Sequence, residues 1–451
     1  MSTINTENSA IITPCVESLE ERKLFSTYIV TNTNDSGEGS LRQALINANN
    51  NAGTDTVNFA IGSGARTITP GSQLPIITGP VVIDGTTQPG FAGKPIIEIN
   101  GQNAGGGFTN GIWLDGGNSV VKGLVINRFA GSGVFINTHG GNTIQGCYIG
   151  TDSSGSYALG NGGHGMLIQS GGNLIGGYKK GARNVISGNG NQGISIYSSA
   201  AGWNRIQGNF IGTDATGTKK IGNKINGIHL CGAANNTIGG TTAGTGNVIS
   251  GNHDDGVVIN NAGASGNYVV GNLIGTTVTG KSRLGNGMYG VEISQPNNVV
   301  GGGVASWRNV ISANGLSGVV LFLGSASNNR VMGNFIGTDI TGKKDLGNIT
   351  RGVEMTNGAS QNVIGGSSVR YRNVISGNDE GGIGIYSGSW GNRVQWNYIG
   401  TNAKGSAYVH NGTLGVILTD GSGWNTLMLQ SGTHNTASGV IPDDKLYVLT
   451  Q

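Results

Sequence analysis

Charge, cysteine and long apolar runs are all scarce in this sequence. Only 11% of the 451 residues are charged, and the net charge of +3 includes no block of Lys or Arg, so nothing marks a nucleic-acid-binding surface. Cys15, Cys147 and Cys231 stand too far apart for a disulfide framework, and no CxxC pair suggests a metal or redox centre. No apolar run approaches the ~20 residues that span a bilayer, and no basic segment followed by an apolar core begins the chain. The sequence therefore predicts neither a transmembrane segment nor a nucleic-acid partner.

Glycine, in contrast, is abundant, with 86 residues that lack the every-third spacing of collagen. Regularly spaced Ile, Val and Leu provide apolar surface to bury, so the chain folds. One motif recurs as GCYIGTD (146–152), GNFIGTD (208–214), GNLIGTT (271–277), GNFIGTD (333–339) and WNYIGTN (396–402). Its Ile positions are 62 or 63 residues apart, and the anchors NVIS(G/A)N and Asn followed by (I/V)GG keep the same period. The chain is thus a tandem repeat.

A shorter element, Gly-apolar-x-apolar, occurs twice in each period, which indicates a unit of two coils. It recurs as GVFI (133–136), GMLI (165–168), GISI (193–196), GIHL (227–230), GVVI (256–259), GVEI (290–293), GVVL (318–321), GVEM (352–355), GIGI (382–385) and GVIL (415–418). Each coil is interpreted as short strands separated by Gly and Asn, which tolerate the positive φ of tight corners. Stacking at roughly 4.8 Å per rung buries a shared apolar column. The sequence predicts an all-β fold, a single-stranded right-handed parallel β-helix.

The repeat also predicts the domain organisation. Residues 1–26 are a leader or flexible N-terminus, and residues 27–110 are an N-terminal cap with a short helix near 40–51. Ser40 or Ser36 caps this helix, Leu41, Leu45 and Ala48 share one face, and Gly53 ends it. Residues 111–420 form the regular β-helix, and residues 421–451 close its other end, because an open solenoid edge invites aggregation.

Two sets of repeated polar residues are given structural roles. Asparagines at equivalent turns are predicted to stack into an amide ladder, namely Asn204, Asn267, Asn329 and Asn392. Insertions after the IG motif are predicted to form a row of loops, at 151–161, 213–223, 276–286, 338–348 and 401–411. Asp152, Asp214 and Asp339 in these loops are interpreted as turn caps. Calcium is disfavoured because loops two rungs apart, near 10 Å, are too distant to share an ion.

Two stretches carry a resemblance to known proteins. The run 27–61, followed by the NVISGN and GNFIGTD repeats, resembles the bacterial right-handed parallel β-helix repeat proteins that are common among large exported and surface proteins, and this match covers nearly the whole chain. ESLEERKLFS (17–26) resembles the LEPR-XLL leader of planctomycete exported proteins, with Glu21 where that leader has Pro. The resemblances imply a pectate-lyase-like solenoid exported to the cell surface. They do not give the function.

The candidate site comes from the outward positions of the coils. In Gly-apolar-x-apolar the x residue faces solvent, and ionisable residues collect at x or just before Gly in the middle coils. The candidate catalytic residues are His229, Asp255, Glu292, Arg351 and Glu354. Glu292 and Glu354 are predicted two rungs apart, about 10 Å, at the outer limit for an inverting carboxylate pair. A lyase would instead use carboxylates to hold Ca²⁺ and Arg351 as the base.

Three functions are compatible with these observations. The preferred one is a non-catalytic exported rod that contacts a polysaccharide or cell-surface glycan and needs no cofactor. The second is a polysaccharide lyase or glycoside hydrolase acting on an acidic polysaccharide, with Ca²⁺ only for the lyase. Polygalacturonases carry NTD, DD, GHG and RIK in that order, whereas here GHG (163–165) precedes DD (254–255) and RIK is missing. The third is a homotrimer packed along outward apolar positions, namely Phe135, Leu167, Val258, Val320 and Ile417.

Overall fold

The computed structural model describes residues 25–412, 414–419, 421–429 and 446–450, and short parallel β-strands make up nearly all regular structure there. In the regular region each coil contributes one strand to each of three long sheets. The chain is therefore a single-stranded right-handed parallel β-helix, as the repeat predicts. None of the helices in these ranges has the length and apolar character needed to cross a lipid bilayer.

The sheets are numbered here in the order in which a coil passes through them. Sheet 1 consists of Thr27–Val30, Asp55–Phe59, Val81–Asp84, Val120–Lys122, Thr143–Gln145, Leu174–Gly176, Arg205–Gln207, Thr237–Gly239, Tyr268–Val270, Val299–Gly301, Arg330–Met332, Val363–Gly365, Arg393–Gln395, Asn425–Leu429 and Leu446–Thr450. Sheet 2 consists of Arg66–Ile68, Ile97–Asn100, Leu124–Asn127, Tyr148–Ile149, Val185–Ile186, Phe210–Ile211, Val248–Ile249, Leu273–Ile274, Val310–Ile311, Phe335–Ile336, Val374–Ile375 and Tyr398–Ile399. Sheet 3 consists of Ile112–Leu114, Val134–Ile136, Met166–Ile168, Ile194–Tyr197, Ile228–Cys231, Val257–Asn260, Val291–Ile293, Val319–Phe322, Arg351–Thr356, Gly381–Ile385 and Leu414–Leu418.

The helices are few and short. One α-helix spans Leu41–Asn49, and 3₁₀ turns occupy Gly85–Thr87, Gly101–Asn103, Ala305–Trp307 and Val369–Tyr371. The Ser40 side chain caps the α-helix by accepting a hydrogen bond from the Gln43 N–H at 3.2 Å, as predicted. The prediction that Gly53 ends the helix is wrong, because the Asn50 N–H already bonds the last turn. The buried face of the helix packs on the first two strands of sheet 1 and covers that end of the stack.

The interior is a set of aliphatic columns aligned by the strand register. In sheet 1, Ile206 pairs with Ile175 on one side and Ile238 on the other, and all three side chains are fully buried. Full burial of one such side chain contributes roughly 1.5–3 kcal/mol. Because every coil repeats the column, the aliphatic core helps to fix the register of the whole rod.

Asparagine ladders line all three corners of the coil, so the predicted ladder is confirmed and is one of three. At the corner before sheet 1, the Asn204 amide donates to Asn236 Oδ1 at 3.0 Å, and Asn236 donates to Asn267 Oδ1 at 3.2 Å. Matching chains precede sheet 2, as in Asn247 to Asn272, and precede sheet 3, as in Asn252 to Asn286. Each amide satisfies buried backbone groups at a corner where no strand can do so.

The inserted loops cover the outward side of sheet 2. Asp214 Oδ1 accepts backbone N–H groups of Thr218 and Lys219, so the turn-cap interpretation is confirmed, and Asp152 and Asp339 do the same in their loops. Although their coils lie two rungs apart, successive loops bond directly, as the Ala215 N–H does to Gly155 O at 2.9 Å. The loops bury outward residues such as Phe210, which is 2% exposed. The loops therefore take up part of the outward side of sheet 2.

The assignment of residues 1–26 and 421–451 to a leader and a C-terminal cap stays a prediction. Residues 1–24 and 430–445 lie outside the described residues. The strands Asn425–Leu429 and Leu446–Thr450 pair in parallel and continue sheet 1 beyond the last complete coil.

Candidate functional site on the outward face of sheet 3

The outward side chains of sheet 3 form a continuous row with one residue on each rung. Strand pairing places in register Phe135, Leu167, Ser195, His229, Val258, Glu292, Val320, Glu354, Gly384 and Ile417. The predicted stacking of these positions is confirmed. Val258 and Val320 are only 4% and 1% exposed, because larger side chains on adjacent rungs cover them. The apolar stripe expected for a trimer is therefore interrupted, and the homotrimer stays a prediction.

Asp255 is the most strongly perturbed acid of this face. It lies on the rung of Val258, its Oδ1 accepts the Tyr289 N–H at 2.7 Å, and its own N–H donates to Asn226 Oδ1 at 3.0 Å. Burial raises the Asp255 pKa to about 7, with further contributions from the charges of Glu292 and Asp254. A carboxyl group that titrates near neutrality is suited to general acid or base chemistry.

Tyr289 lies three residues before Glu292 in the same coil, and its backbone N–H donates to Asp255. The pKa of Tyr289 is raised by burial first and then by the charges of Glu354, Glu292 and Asp255. Burial also raises the pKa of Glu292, which the Ser294 hydroxyl only partly opposes from 3.5 Å. The structure therefore brings Asp255, Tyr289 and Glu292 together as one electrostatically coupled group.

His229 occupies the next polar position of the row, two rungs before Glu292. Its Nε2 lies 2.7 Å from Asn260 Oδ1, and burial lowers its pKa while this hydrogen bond opposes the shift. His164 lies on the other side, with its pKa lowered to about 4 by burial and by the His229 charge. Its Nδ1 is buried without a hydrogen-bond partner in the described structure. Both imidazoles are therefore neutral at physiological pH and offer hydrogen-bonding groups without charge.

Arg351 and Glu354 belong to a second group at the other end of the face. The Ser317 hydroxyl donates to Glu354 Oε2 at 2.8 Å. The Arg351 guanidinium lies 3.2 Å from Glu380 Oε2 and 4.7 Å from the centre of the Tyr386 ring. The guanidinium considered as a lyase base is therefore already engaged by contacts within the protein.

Sequence reasoning did not select Asn260, Tyr386 and Glu380, which contact the candidate residues. Asn260 and Tyr386 both lie two positions after x in their coils, on a further outward column. That column, read coil by coil, is the signal that would have identified them. Glu380 lies outside the strands and has no repeat signature.

The face does not fit a calcium centre. In the part of the chain that the structure describes, no three His, Cys, Asp or Glu side chains are grouped so that they could hold a metal ion. Calcium takes six to eight oxygen ligands, whereas Asp255 and Glu292 supply two carboxylates, one of them already bonded to a backbone N–H.

Among known proteins, this chain is similar at low sequence identity to several solved structures. No protein-family model and no curated protein matches the sequence. The A-module of the mannuronan C-5 epimerase AlgE6 of Azotobacter vinelandii is similar at 15% identity, with 94% of this chain and 98% of that one covered and a TM-score of 0.41. PfbA, a surface adhesin of Streptococcus pneumoniae, is similar at 12% identity, with 93% of this chain and 96% of PfbA covered and a TM-score of 0.38. The Dettilon tailspike protein gp208 is similar at 15% identity, with 94% of this chain and 68% of the tailspike chain covered and a TM-score of 0.36. The likeness lies in the β-helix architecture alone.

Proposed function

We propose that this protein is an exported or cell-surface β-helix rod that binds a glycan chain along the outward face of sheet 3. The observation that carries the proposal is the row of half-buried polar groups, His229, Glu292 and Glu354, repeated at every second rung. An extended sugar chain presents hydroxyl groups at regular intervals and matches such a row. Export is supported by the resemblance of the repeats to exported β-helix repeat proteins and of residues 17–26 to a bacterial leader.

The charge of the face favours an uncharged glycan over the acidic polysaccharide considered from the sequence. Asp255, Glu292 and Glu354 are acidic, and the nearby Arg351 is already paired with Glu380. An acidic polymer would meet repulsion here and would have to be desolvated without compensation. Hydroxyl groups can donate to carboxylates and accept from the Tyr289 phenol, so a neutral chain avoids both costs.

A second candidate, a glycoside hydrolase, is favoured by the raised pKa of Asp255. A protonated Asp255 next to Glu292 supplies the acid of a carboxylate pair, with roles divided by environment. Asp255 is 6% exposed and caps the Tyr289 backbone, which equally explains its presence as a structural residue. The binding function needs only the half-buried row and is the more direct conclusion.

The experiment measures binding of the purified protein to immobilised cellulose, xylan, mannan and polygalacturonate, followed by assay of the supernatant for reducing and unsaturated ends. We expect binding to at least one neutral polymer, weakened about tenfold or more by the double variant Glu292→Gln and Glu354→Gln, since charge-assisted hydrogen bonds are lost. Glu38→Gln, at an exposed position near the N-terminal helix, is the matched control and retains binding.

The proposal fails if no neutral polymer binds or if the double variant binds as well as the parent. Release of sugar ends that disappears in Asp255→Asn establishes the hydrolase instead. Binding without release leaves the rod function standing.

A further inference from the structure

A second surface, on the outward face of sheet 1, carries a row of long side chains. Strand pairing puts Arg205, Tyr268, Arg330 and Arg393 on one outward column, each two rungs from the next. The rungs between them hold the shorter Thr237, Val299 and Val363. At roughly 4.8 Å per rung, the row spans about 29 Å with a repeat near 10 Å.

Overhanging loops turn this face into a trough. The segments 302–307 and 366–371 border a cavity of about 1010 Å³ whose floor includes Tyr268, Arg330 and Arg393. A neighbouring cavity of about 420 Å³ lies over Arg205 and Thr237. The two cavities share Tyr268 and Trp307, whose rings meet edge to face with centroids 6.3 Å apart. The trough is therefore continuous along the rod.

The arginines of the trough have no counter-charge in the protein. Arg205, Arg330, Arg370 and Arg393 are exposed, and within the described residues none of them forms a side-chain hydrogen bond or ion pair. Not one Asp or Glu is among the residues that line either cavity. In a chain with 11% charged residues, a trough lined by four unpaired cations is an electrostatic site for an anion.

Aromatic rings accompany the charges. Tyr178 and Tyr268 are 57% and 41% exposed, and Trp307 and Tyr371 are half-buried in the overhanging loops. Such rings present an apolar face beside a polar group, which suits the alternating C–H and hydroxyl faces of a sugar. Gln207 and Gln395 add amide donors and acceptors along the same trough.

We propose that this trough, defined by Arg205, Tyr268, Trp307, Arg330, Arg370 and Arg393, is a binding site for an extended acidic glycan whose carboxylate or sulfate groups pair with the arginines. Arginine forms bidentate bonds with such planar or branched oxyanions. The 10 Å repeat corresponds to one anionic group for each pair of sugars. Single-stranded nucleic acid is the alternative polyanion, but its successive bases need a series of stacking rings, and the outward column carries one ring, Tyr268.

The test is fluorescence anisotropy of the full chain with labelled polygalacturonate and with a labelled sulfated galactan, at low and high salt. We expect binding of one or both, weakened at least tenfold by the double variant Arg330→Ala and Arg393→Ala and weakened by salt. The matched control is Lys343→Ala and Lys344→Ala, which removes two exposed positive charges from an inserted loop away from the trough and changes binding less than twofold. Arg330→Gln with Arg393→Gln repeats the test with longer side chains.

Whether carboxylate or sulfate is recognised follows from which labelled glycan binds more tightly. Three results overturn the proposal: neither glycan binds, the lysine and arginine pairs weaken binding equally, or oligo(dT) binds more tightly than both glycans with the same dependence on Arg330 and Arg393. The trough lies on sheet 1, whereas the proposed function uses the polar face of sheet 3. If the protein binds no neutral glycan on sheet 3, the test of the trough is therefore unaffected.

Discussion

The outward faces of sheets 1 and 3 belong to the same coils and show opposite electrostatics. On sheet 3, Asp255 and Glu292 are largely buried, interact with each other and have raised pKa values. On sheet 1, Arg330 and Arg393 extend into solvent with no partner in the described structure. The acidic charges of sheet 3 are buried and perturbed within the protein. The arginines of sheet 1 are left for an external anion.

The difference shows that stacking of the coils sets the distance between repeated side chains but does not set the charge or the burial of those side chains. Both faces repeat their long polar side chains at every second rung, because both inherit the two-coil unit. What changes is the surroundings: neighbouring side chains bury the charges of sheet 3, whereas overhanging loops leave open space above sheet 1. A repeat protein can therefore carry two unrelated sites on one backbone.

The largest expected effect is on the stack that both faces share. Asn272, 1% exposed at the corner before sheet 2, accepts two hydrogen bonds from Asn247 and donates to Ile238 O and Asn309 Oδ1. Asn272→Ala leaves buried polar groups unpaired, and we expect it to lower the free energy of unfolding by about 3 to 5 kcal/mol. Urea unfolding followed by circular dichroism measures this loss.

The control for this prediction is Asn103→Ala, at an exposed position of a 3₁₀ turn, which is expected to change stability by less than about 0.5 kcal/mol. If Asn272→Ala costs no more than the control, the ladders are not what aligns the coils. The common register of the two faces then has to come from the aliphatic core alone.

The next effect is a difference in pH dependence produced by one substitution at two aspartates. Asp255 has its pKa raised from 3.8 to about 7, so between these values the folded state holds a proton that the unfolded state has lost, and stability falls as pH rises. Asp255→Asn removes this fall. We expect it to stabilise the protein by about 1 to 3 kcal/mol at pH 8 and by little at pH 4.

For Asp214 the change of stability with pH has the opposite sign. Burial raises its pKa, but hydrogen bonds from Thr216, Lys219 and Thr218 together outweigh burial and lower it. Its contribution is therefore present above pH 3.8 and is lost as pH falls through the lower folded value. Asp214→Asn should destabilise by about 0.5 to 1 kcal/mol at pH 7. Thermal melts from about pH 2.5 to about pH 8 test the pair, and equal signs at the alkaline end would contradict the assignment of the two environments.

The fold could be predicted almost entirely from the sequence because identical residues recur at a fixed period. Where Ile211, Ile249 and Ile274 repeat, parallel register forces them into one column, and the structure stacks them without exception. The asparagine ladder followed for the same reason. The sequence indicates only the asparagine ladder at the corner before sheet 1. The asparagines of the other two ladders lie inside the motifs that mark the repeat period.

The site was less predictable, because burial depends on neighbouring rungs that the repeat pattern does not describe. Outward position predicted exposure for Val258 and Val320, which are covered. The trough was missed because Arg205, Arg330 and Arg393 are separated by one or two whole repeats and resemble scattered charge in the sequence. The repeat period also does not predict that segments 302–307 and 366–371 extend over the outward face of sheet 1 and border a cavity there.

The smallest effect separates two kinds of arginine. Arg308 donates from Nε to Gly333 O at 3.1 Å and lies 4.1 Å over the Phe335 ring on sheet 2. We expect Arg308→Ala to lower the free energy of unfolding by about 1 to 2 kcal/mol, because a hydrogen bond and a cation–π contact are lost. Arg330→Ala should cost less than about 0.5 kcal/mol, because an exposed and unpaired side chain stabilises nothing.

Thermal unfolding and glycan anisotropy on these two variants give a crossed result if the comparison of faces is correct. Arg308→Ala loses stability and keeps acidic-glycan binding, whereas Arg330→Ala keeps stability and weakens binding. A loss of stability in Arg330→Ala comparable with that of Arg308→Ala would mean that Arg330 has a structural partner. The arginines of sheet 1 would then interact within the protein, as the acids of sheet 3 do, and the contrast between the two faces would not hold.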